Sequence, residues 1–99
     1  AIDVPLTVMK ASLNALAVIE AMAAEGLRSS VSDAGVGALL AAAAVRGAHL
    51  NVRINAATLA DDAVRQAYLE EGAAVEARAR VLESDILARV EERLGTGAD

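Results

Sequence analysis

The near absence of aromatic residues, set against a large excess of alanine, most limits what this chain can fold into. Among its 99 residues, 25 are Ala, 12 are Leu and 11 are Val, whereas Tyr68 is the single aromatic residue and Pro5 the single proline. Ala and Leu favour helices, and the aromatic residues that favour strands are almost missing. The composition therefore predicts an all-α fold. An apolar fraction of 56% and a net charge of only −5 argue against a disordered chain.

The length allows one domain or less, with roughly 64% of the unfolded surface buried in a compact fold. The lack of cysteine excludes disulfides and thiolate metal sites. A pI near 4.7 without a basic run argues against nucleic-acid binding. The longest uncharged stretch, Ala34 to Val45, is too short to span a bilayer, and the pattern at the start leads us to expect no signal sequence. We therefore expect a cytoplasmic protein. The first residue is Ala1, so we expect either removal of an initiator Met or further residues upstream.

Capping and stop signals divide the chain into three predicted helices. Pro5 suits the first helical position, and Gly26 suits the end of the first helix. A serine-containing linker follows, and Asp33 can cap the second helix. Thr58 or Asp61 can cap the third helix, which is roughly 50 Å long and ends before Gly95. The predicted helices span about Pro5 to Ala24, Ser32 or Asp33 to Ala56, and Asp61 to Leu94.

These helices predict a bundle with long antiparallel helices that is oligomeric. The third helix is longer than the first, and apolar turns that project beyond a neighbour need a partner. The second helix contains Gly35, Gly37 and Gly47, which permit close approach of other helices. We therefore expect the second helix to be the most enclosed. The other faces of the third helix are charged, which is typical of a solvated surface.

Polar residues in the second helix are the first candidates for a site, because burying them unpaired costs about 1–3 kcal/mol. Asp33, Asn51 and Asn55 fall on one side of it. Asp33 precedes Asn51 by 18 residues, or about 27 Å, so one chain alone cannot combine them. An antiparallel two-fold pairing of two chains could combine them. The alternatives are that Asp33 is a helix cap and that the asparagines bond a helix end or loop.

Arg46, His49 and Arg53 form a second polar stripe on the same helix. The alternative role for the arginines is an ion pair with Glu25, Asp61 or Asp62. His49 has no residue nearby in sequence to orient it, so we interpret it as a surface or interface histidine. We find no Ser/His/Asp constellation, phosphate loop or metal-ligand spacing. The residues alone predict no particular reaction.

Two segments of the second helix resemble the cyclodeaminase/cyclohydrolase family of folate enzymes. They are Ser-Asp-Ala-Gly-Val-Gly-Ala-Leu-Leu at 32–40 and Gly-Ala-His-Leu-Asn-Val-Arg-Ile-Asn at 47–55. The resemblance extends over most of residues 2–94 and includes Val-Pro-Leu at 4–6. Family domains are longer, so residues 1–99 resemble the C-terminal portion of such a domain. His49 stands where the family usually has a small or apolar residue.

The resemblance implies a dimeric, all-helical enzyme acting on a one-carbon unit carried by tetrahydrofolate. The reaction is cyclisation of 5-formiminotetrahydrofolate to 5,10-methenyltetrahydrofolate and ammonia, or hydrolysis of the methenyl compound. Asp33 is implied as the acid/base, Asn51 and Asn55 as hydrogen-bonding partners of the substrate, and Arg53 as the partner of a folate carboxylate. The implied ligand is a tetrahydrofolate derivative, without a metal, a nucleic acid or a membrane. The alternative is a non-catalytic interaction module derived from the family.

Overall fold

The computed structural model describes residues 2–25 and 28–96 and places nearly all of them in three α-helices. Helix α1 spans Asp3–Glu25, α2 spans Arg28–Ala56 and α3 spans Asp62–Thr96. No strand is present in these described ranges. The predicted all-α helical bundle is confirmed, and the molecule measures 55 × 17 × 16 Å along its principal axes.

Helix α2 begins four residues earlier than predicted, at Arg28 instead of Ser32. The prediction of a linker up to Ser32 is therefore wrong for residues 28–32, and Asp33 lies inside the helix instead of capping it. Val31 gives a physical reason for the earlier start of α2. Its side chain is buried in the core, and a helical backbone in this segment places it there. Gly26, the predicted stop of the first helix, lies outside the described residues. Gly95 lies inside α3, which ends one residue later.

Asp61 forms the cap of α3, one of the two predicted possibilities. Its Oδ1 accepts hydrogen bonds from the backbone N–H groups of Ala63 at 2.9 Å and Val64 at 3.1 Å. These contacts satisfy donors that the first turn of a helix leaves without partners. Thr58 instead closes the end of α2, since its hydroxyl donates to the backbone oxygen of Asn55 at 2.7 Å. The short connection therefore has its own hydrogen bonds.

The hydrophobic core runs along the axis where the three helices meet. All three helices contribute side chains that are almost completely buried, and α2 packs against both of its neighbours. Glycines allow this approach at two points. A Cβ on Gly35 would lie 3.2 Å from Val90, and one on Gly37 would lie 3.3 Å from Ile19. The largest fully buried side chains are Met9, Leu16, Val31, Val45, Val52, Leu82 and Ile86.

One face of α2 nevertheless lies open to solvent and is apolar. Leu40 is 68% exposed and Ile54 is 66% exposed. The prediction that α2 is the most enclosed helix is nevertheless confirmed among the described residues, because a larger share of its residues is buried than in α1 or α3. Helix α1 also exposes aliphatic side chains. The exposed apolar residues of these helices are Val36, Leu39, Leu40, Leu50 and Ile54 on α2, and Val4, Val8, Val18 and Met22 on α1.

Two polar contacts join the N-terminal halves of α1 and α3. The Tyr68 hydroxyl donates a hydrogen bond to Oδ1 of Asp3 at 2.7 Å. This hydrogen bond raises the pKa of the Tyr68 phenol above its ordinary 10.0. Lys10 forms an ion pair with Glu71 at 3.2 Å, with both side chains about half exposed. An ion pair of this kind contributes little to stability.

By length and composition alone, two segments are long and apolar enough to cross a membrane, Asp3–Ala24 and Val31–Ala56. Each of these segments is longer than the uncharged stretch 34–45, because a membrane-spanning helix tolerates isolated charges. The core helices of soluble proteins meet the same criterion. The finding is therefore weak evidence for a membrane location.

Candidate functional site

The predicted polar residues of α2 lie along grooves on two different sides of the helix. One side faces α1 and the other faces α3. The exposed apolar face of α2 lies between these two sides. Each candidate residue can therefore be assigned to the α1 side or to the α3 side.

Asn51 and Asn55 lie together in a groove of about 520 Å³ between the start of α1 and the end of α2. Val4, Val8 and Ala48 supply apolar walls. The Asn55 amide donates to the backbone oxygen of Asn51 at 2.8 Å, whereas the Asn51 side chain is exposed. The hydrogen bond of Asn55 agrees with the alternative role considered from the sequence. Both asparagines line the groove, which places them where a ligand could be bound.

Asp33 lies on the same side of α2 but near the opposite end. It borders a smaller groove of about 150 Å³ with Ile19, Met22 and Ala34. Its side chain is exposed. The 18 residues between Asp33 and Asn51 correspond to about 27 Å of helix. The single chain therefore does not bring Asp33 to the asparagines, as expected from the spacing.

Arg53 lies on the other side of α2, in a groove of about 390 Å³ against α3. Arg46 and Arg80 line the same groove. The expected ion pairs of Arg46 and Arg53 with Asp61 or Asp62 are not formed, because Asp61 caps α3 and Asp62 pairs with Arg65. The side chain of Glu25 lies outside what the structure describes. Arg53 is therefore separated from the asparagines by the exposed face of α2.

His49 is buried, so its interpretation as a surface or interface residue is wrong for this chain. Only 7% of the residue is exposed, and Nδ1 donates to Oε1 of Glu76 at 2.9 Å. Arg80 donates to the other oxygen of Glu76 at 3.3 Å. The bond from His49 is the main cause that lowers the pKa of the Glu76 carboxyl, and Arg80 adds to it. Sequence reasoning missed Glu76 because it follows His49 by 27 residues on another helix.

Gly72 makes room for the His49 ring. A Cβ on Gly72 would lie 2.9 Å from Cδ2 and 3.1 Å from Nε2 of that ring. We expect Gly72→Ala to lower the free energy of unfolding by about 1–3 kcal/mol, because the enclosed ring has to move. The matched control is Gly95→Ala, since a Cβ there meets nothing within 4 Å.

The control is expected to raise the free energy of unfolding by about 0.4–1 kcal/mol, through the smaller conformational freedom of the unfolded chain. Urea unfolding followed by circular dichroism measures both variants. Equal changes in the two variants would contradict the packing of His49 against Gly72.

Comparison with known proteins identifies the family of this helical arrangement. The family model described as formiminotransferase-cyclodeaminase matches residues 1–74. The chain belongs to the formiminotransferase-cyclodeaminase family. The match contains α1, α2 and the first turns of α3, and therefore Asp33, His49, Asn51, Arg53 and Asn55. Glu76 and Arg80 lie beyond it.

A curated relative is similar to the chain over almost its whole length. It is the methenyltetrahydrofolate cyclohydrolase of Methylorubrum extorquens strain AM1, which is 35% identical over 94 residues. The alignment covers 95% of this chain and 45% of that protein, so the chain spans a little under half the length of the relative. No solved structure matches the chain. The resemblance seen in the motifs of α2 is confirmed at the level of the formiminotransferase-cyclodeaminase family.

Proposed function

We propose that this chain forms part of a folate one-carbon enzyme that hydrolyses 5,10-methenyltetrahydrofolate, or forms it by cyclising 5-formiminotetrahydrofolate. The observation that carries the proposal is the similarity to a methenyltetrahydrofolate cyclohydrolase along 95% of the chain. The family description supports the cyclising reaction, which releases ammonia. We also propose a cytoplasmic location, where the substrate is a soluble tetrahydrofolate derivative.

Both reactions require proton transfer at the one-carbon centre. Hydrolysis needs a base that takes a proton from the attacking water, and cyclisation needs an acid that protonates the departing ammonia. We assign this role to Asp33. Asn51 and Asn55 would hold the polar atoms of the substrate, and Arg53 would bind a carboxylate. The proposal includes no metal; in the described part of the chain, no cluster of three His, Asp or Glu residues could hold one.

We propose a second copy of the chain as the partner that joins Asp33 to the asparagines. The exposed residues of α2 are arranged symmetrically about Val45. Leu40 and Leu50 each lie five residues from it, and Ala43 and Gly47 each lie two residues from it. An antiparallel two-fold pairing of two α2 helices would therefore pack the large exposed side chains of one helix against those of the other. The small residues would meet at the crossing.

The same pairing places Asp33 near Asn55 of the partner subunit. Asp33 lies twelve residues before Val45 and Asn55 ten residues after it, so their levels differ by about 3 Å. Both residues border grooves on the α1 side of α2. A two-fold axis perpendicular to the paired helices leaves the α1 sides of the two copies on the same side of the dimer, so the grooves of the two copies adjoin. The exposed residues of α1 beside these grooves would add to the area buried in the dimer. A stable interface buries roughly 800 Å² per partner.

We expect the purified chain to have a solution mass of twice 10.1 kDa by sedimentation equilibrium. Leu40→Glu is expected to weaken the dimer at least tenfold, because it buries a carboxylate in the interface beside the crossing. The matched control is Val81→Glu, at a half-exposed aliphatic position on α3. A monomeric wild-type chain would contradict the dimer, and so would equal weakening by both variants.

The test of function is turnover by the purified chain. Conversion of 5,10-methenyltetrahydrofolate above its spontaneous rate would establish hydrolysis. Ammonia released from 5-formiminotetrahydrofolate would establish cyclisation. If the folded chain accelerates neither reaction, the catalytic proposal for this chain fails. The alternative is then a helical interaction module, which the exposed apolar faces of α1 and α2 favour.

A further inference from the structure

One wall of the groove that contains Asn51 and Asn55 is formed by the first turns of α1. Val4, Pro5 and Val8 line the groove from α1, and the two asparagines line it from α2. The ends of a helix fray, because its first N–H groups have no partner within the helix. The width of the groove therefore depends on how the start of α1 is held in place.

Apolar packing holds this part of α1 only on the side that faces the core. Ile2, Leu6 and Met9 are buried there, whereas Val4 is 67% exposed and Val8 is 43% exposed. The two valines lie on the wall of the groove, so they contribute little to holding α1 against the other helices. Any contact on the α3 side of these turns therefore affects the position of the wall.

Tyr68 on α3 makes such a contact from behind the wall. Its ring packs against the hydrophobic core, and its hydroxyl donates to Oδ1 of Asp3 at 2.7 Å. Asp3 is the first residue of α1 and directly precedes Val4 of the wall. The backbone oxygen of Asp3 also accepts from the Thr7 hydroxyl at 2.8 Å, which joins the anchored residue to the next turn.

The second polar contact between α1 and α3 is a weaker anchor. Lys10 and Glu71 are about half exposed, and ordering two long side chains costs conformational entropy. The ring of Tyr68 is already ordered by the core, so its bond to Asp3 requires little further loss of side-chain freedom. Both contacts lie on α1 and α3, away from the exposed face of α2 that a second copy would cover.

We propose that Tyr68 is a positioning residue that sets the α1 wall of the α1–α2 groove through its bond to Asp3. The part that concerns substrate binding rests on the proposed function, in which Asn51 and Asn55 hold the substrate. A wall that contacts the substrate away from the reacting atoms contributes equally to binding before and during the reaction. Loss of the anchor therefore raises KM and leaves kcat unchanged.

Steady-state kinetics with the folate substrate tests this part. Tyr68→Phe and Asp3→Ala should each raise KM about three- to tenfold, the factor that corresponds to one hydrogen bond. Asp3→Asn keeps an oxygen acceptor and should retain most of the wild-type KM. The double variant should be no worse than Tyr68→Phe, since both changes remove the same bond. The matched control is Glu71→Gln, which removes a carboxylate beside the same turns and should leave KM unchanged.

Hydrogen exchange of the chain without substrate tests the anchor independently of turnover. In Tyr68→Phe, the amides of residues 6–9 should exchange at least about threefold faster, whereas those of residues 16–23 should keep their wild-type rates. The side-chain amide resonances of Asn51 and Asn55 should shift in the same variant, because the wall borders their groove. Unchanged exchange at residues 6–9 overturns the proposal. A uniform increase along all three helices does so too, because it indicates general destabilisation.

The two measurements also separate this proposal from the proposed function. A wild-type chain without turnover, together with faster exchange at residues 6–9 in Tyr68→Phe, removes the proposed function and leaves Tyr68 as the anchor of the wall. Turnover with the wild-type KM in both Tyr68→Phe and Asp3→Ala overturns the positioning role, whatever the exchange rates. An equal rise of KM in Glu71→Gln also overturns it, because any loss of charge near α1 would then have the same effect.

Discussion

Asp33→Asn is expected to fold normally and to lose about 100-fold or more in turnover of the folate substrate. A positioned acid or base typically contributes a rate factor of about 10² to 10⁴. The Asp33 side chain is exposed and forms no hydrogen bond or ion pair among the described residues. Its replacement by the similarly shaped amide should therefore leave the helices intact. The loss should appear in kcat, because the variant lacks a proton transfer and keeps the binding groups.

The matched control for this variant is Asp85→Asn. Asp85 is an exposed carboxylate on α3, away from the grooves beside α2. It changes the net charge by the same amount, so it separates a general electrostatic effect from proton transfer. Full turnover by a folded Asp33→Asn chain would remove the acid/base role. Mixing Asp33→Asn chains with Asn55→Ala chains should restore part of the activity, if each site combines residues from two copies.

His49→Leu is expected to lower the free energy of unfolding by about 2–3 kcal/mol. The substitution leaves Oε1 of Glu76, a carboxylate that is only 23% exposed, without its partner. Glu76→Leu should destabilise for the same reason, by leaving the buried Nδ1 of His49 unpaired. The double variant should lower the free energy of unfolding by less than the sum of the two single variants, with a coupling energy of at least about 1 kcal/mol. Urea unfolding of the four chains measures this coupling.

The Lys10–Glu71 pair provides the control cycle. Its side chains are 53% and 44% exposed, so its coupling should not exceed about 0.5 kcal/mol. Equal coupling energies in the two pairs would mean that burial of His49 adds nothing to the coupling.

The pH dependence of stability gives a second readout of the His49–Glu76 contact. The pKa of Glu76 lies below its ordinary 4.5, so its stabilising contribution is present above pH 4.5 and decreases as the pH falls through the lower value in the folded chain. The free energy of unfolding of the Glu76→Gln variant should not show this decrease as the pH falls.

The sequence predicts the helices better than it predicts their contacts. The signals at Pro5 and Asp61 are local, so the ends of α1 and the start of α3 fall within two residues of prediction. The sequence does not predict the start of α2, because burial of Val31, a tertiary contact, extends the helix through a serine-containing segment. Helical spacing correctly separates Asn51 from Arg53. The contact between His49 and Glu76 depends on how α2 packs on α3, and the periodicity of a single helix carries no information about it.

Tyr68 makes the chain its own optical reporter. It is the single aromatic side chain, so all intrinsic fluorescence and near-ultraviolet absorbance of side chains comes from one phenol. That phenol donates to Asp3 in the first turn of α1. Emission and the alkaline titration of the phenol therefore report on docking of the start of α1 against α3, without any added label. Circular dichroism reports all three helices at once, so a difference between the two signals would reveal detachment of that turn while the helices remain folded.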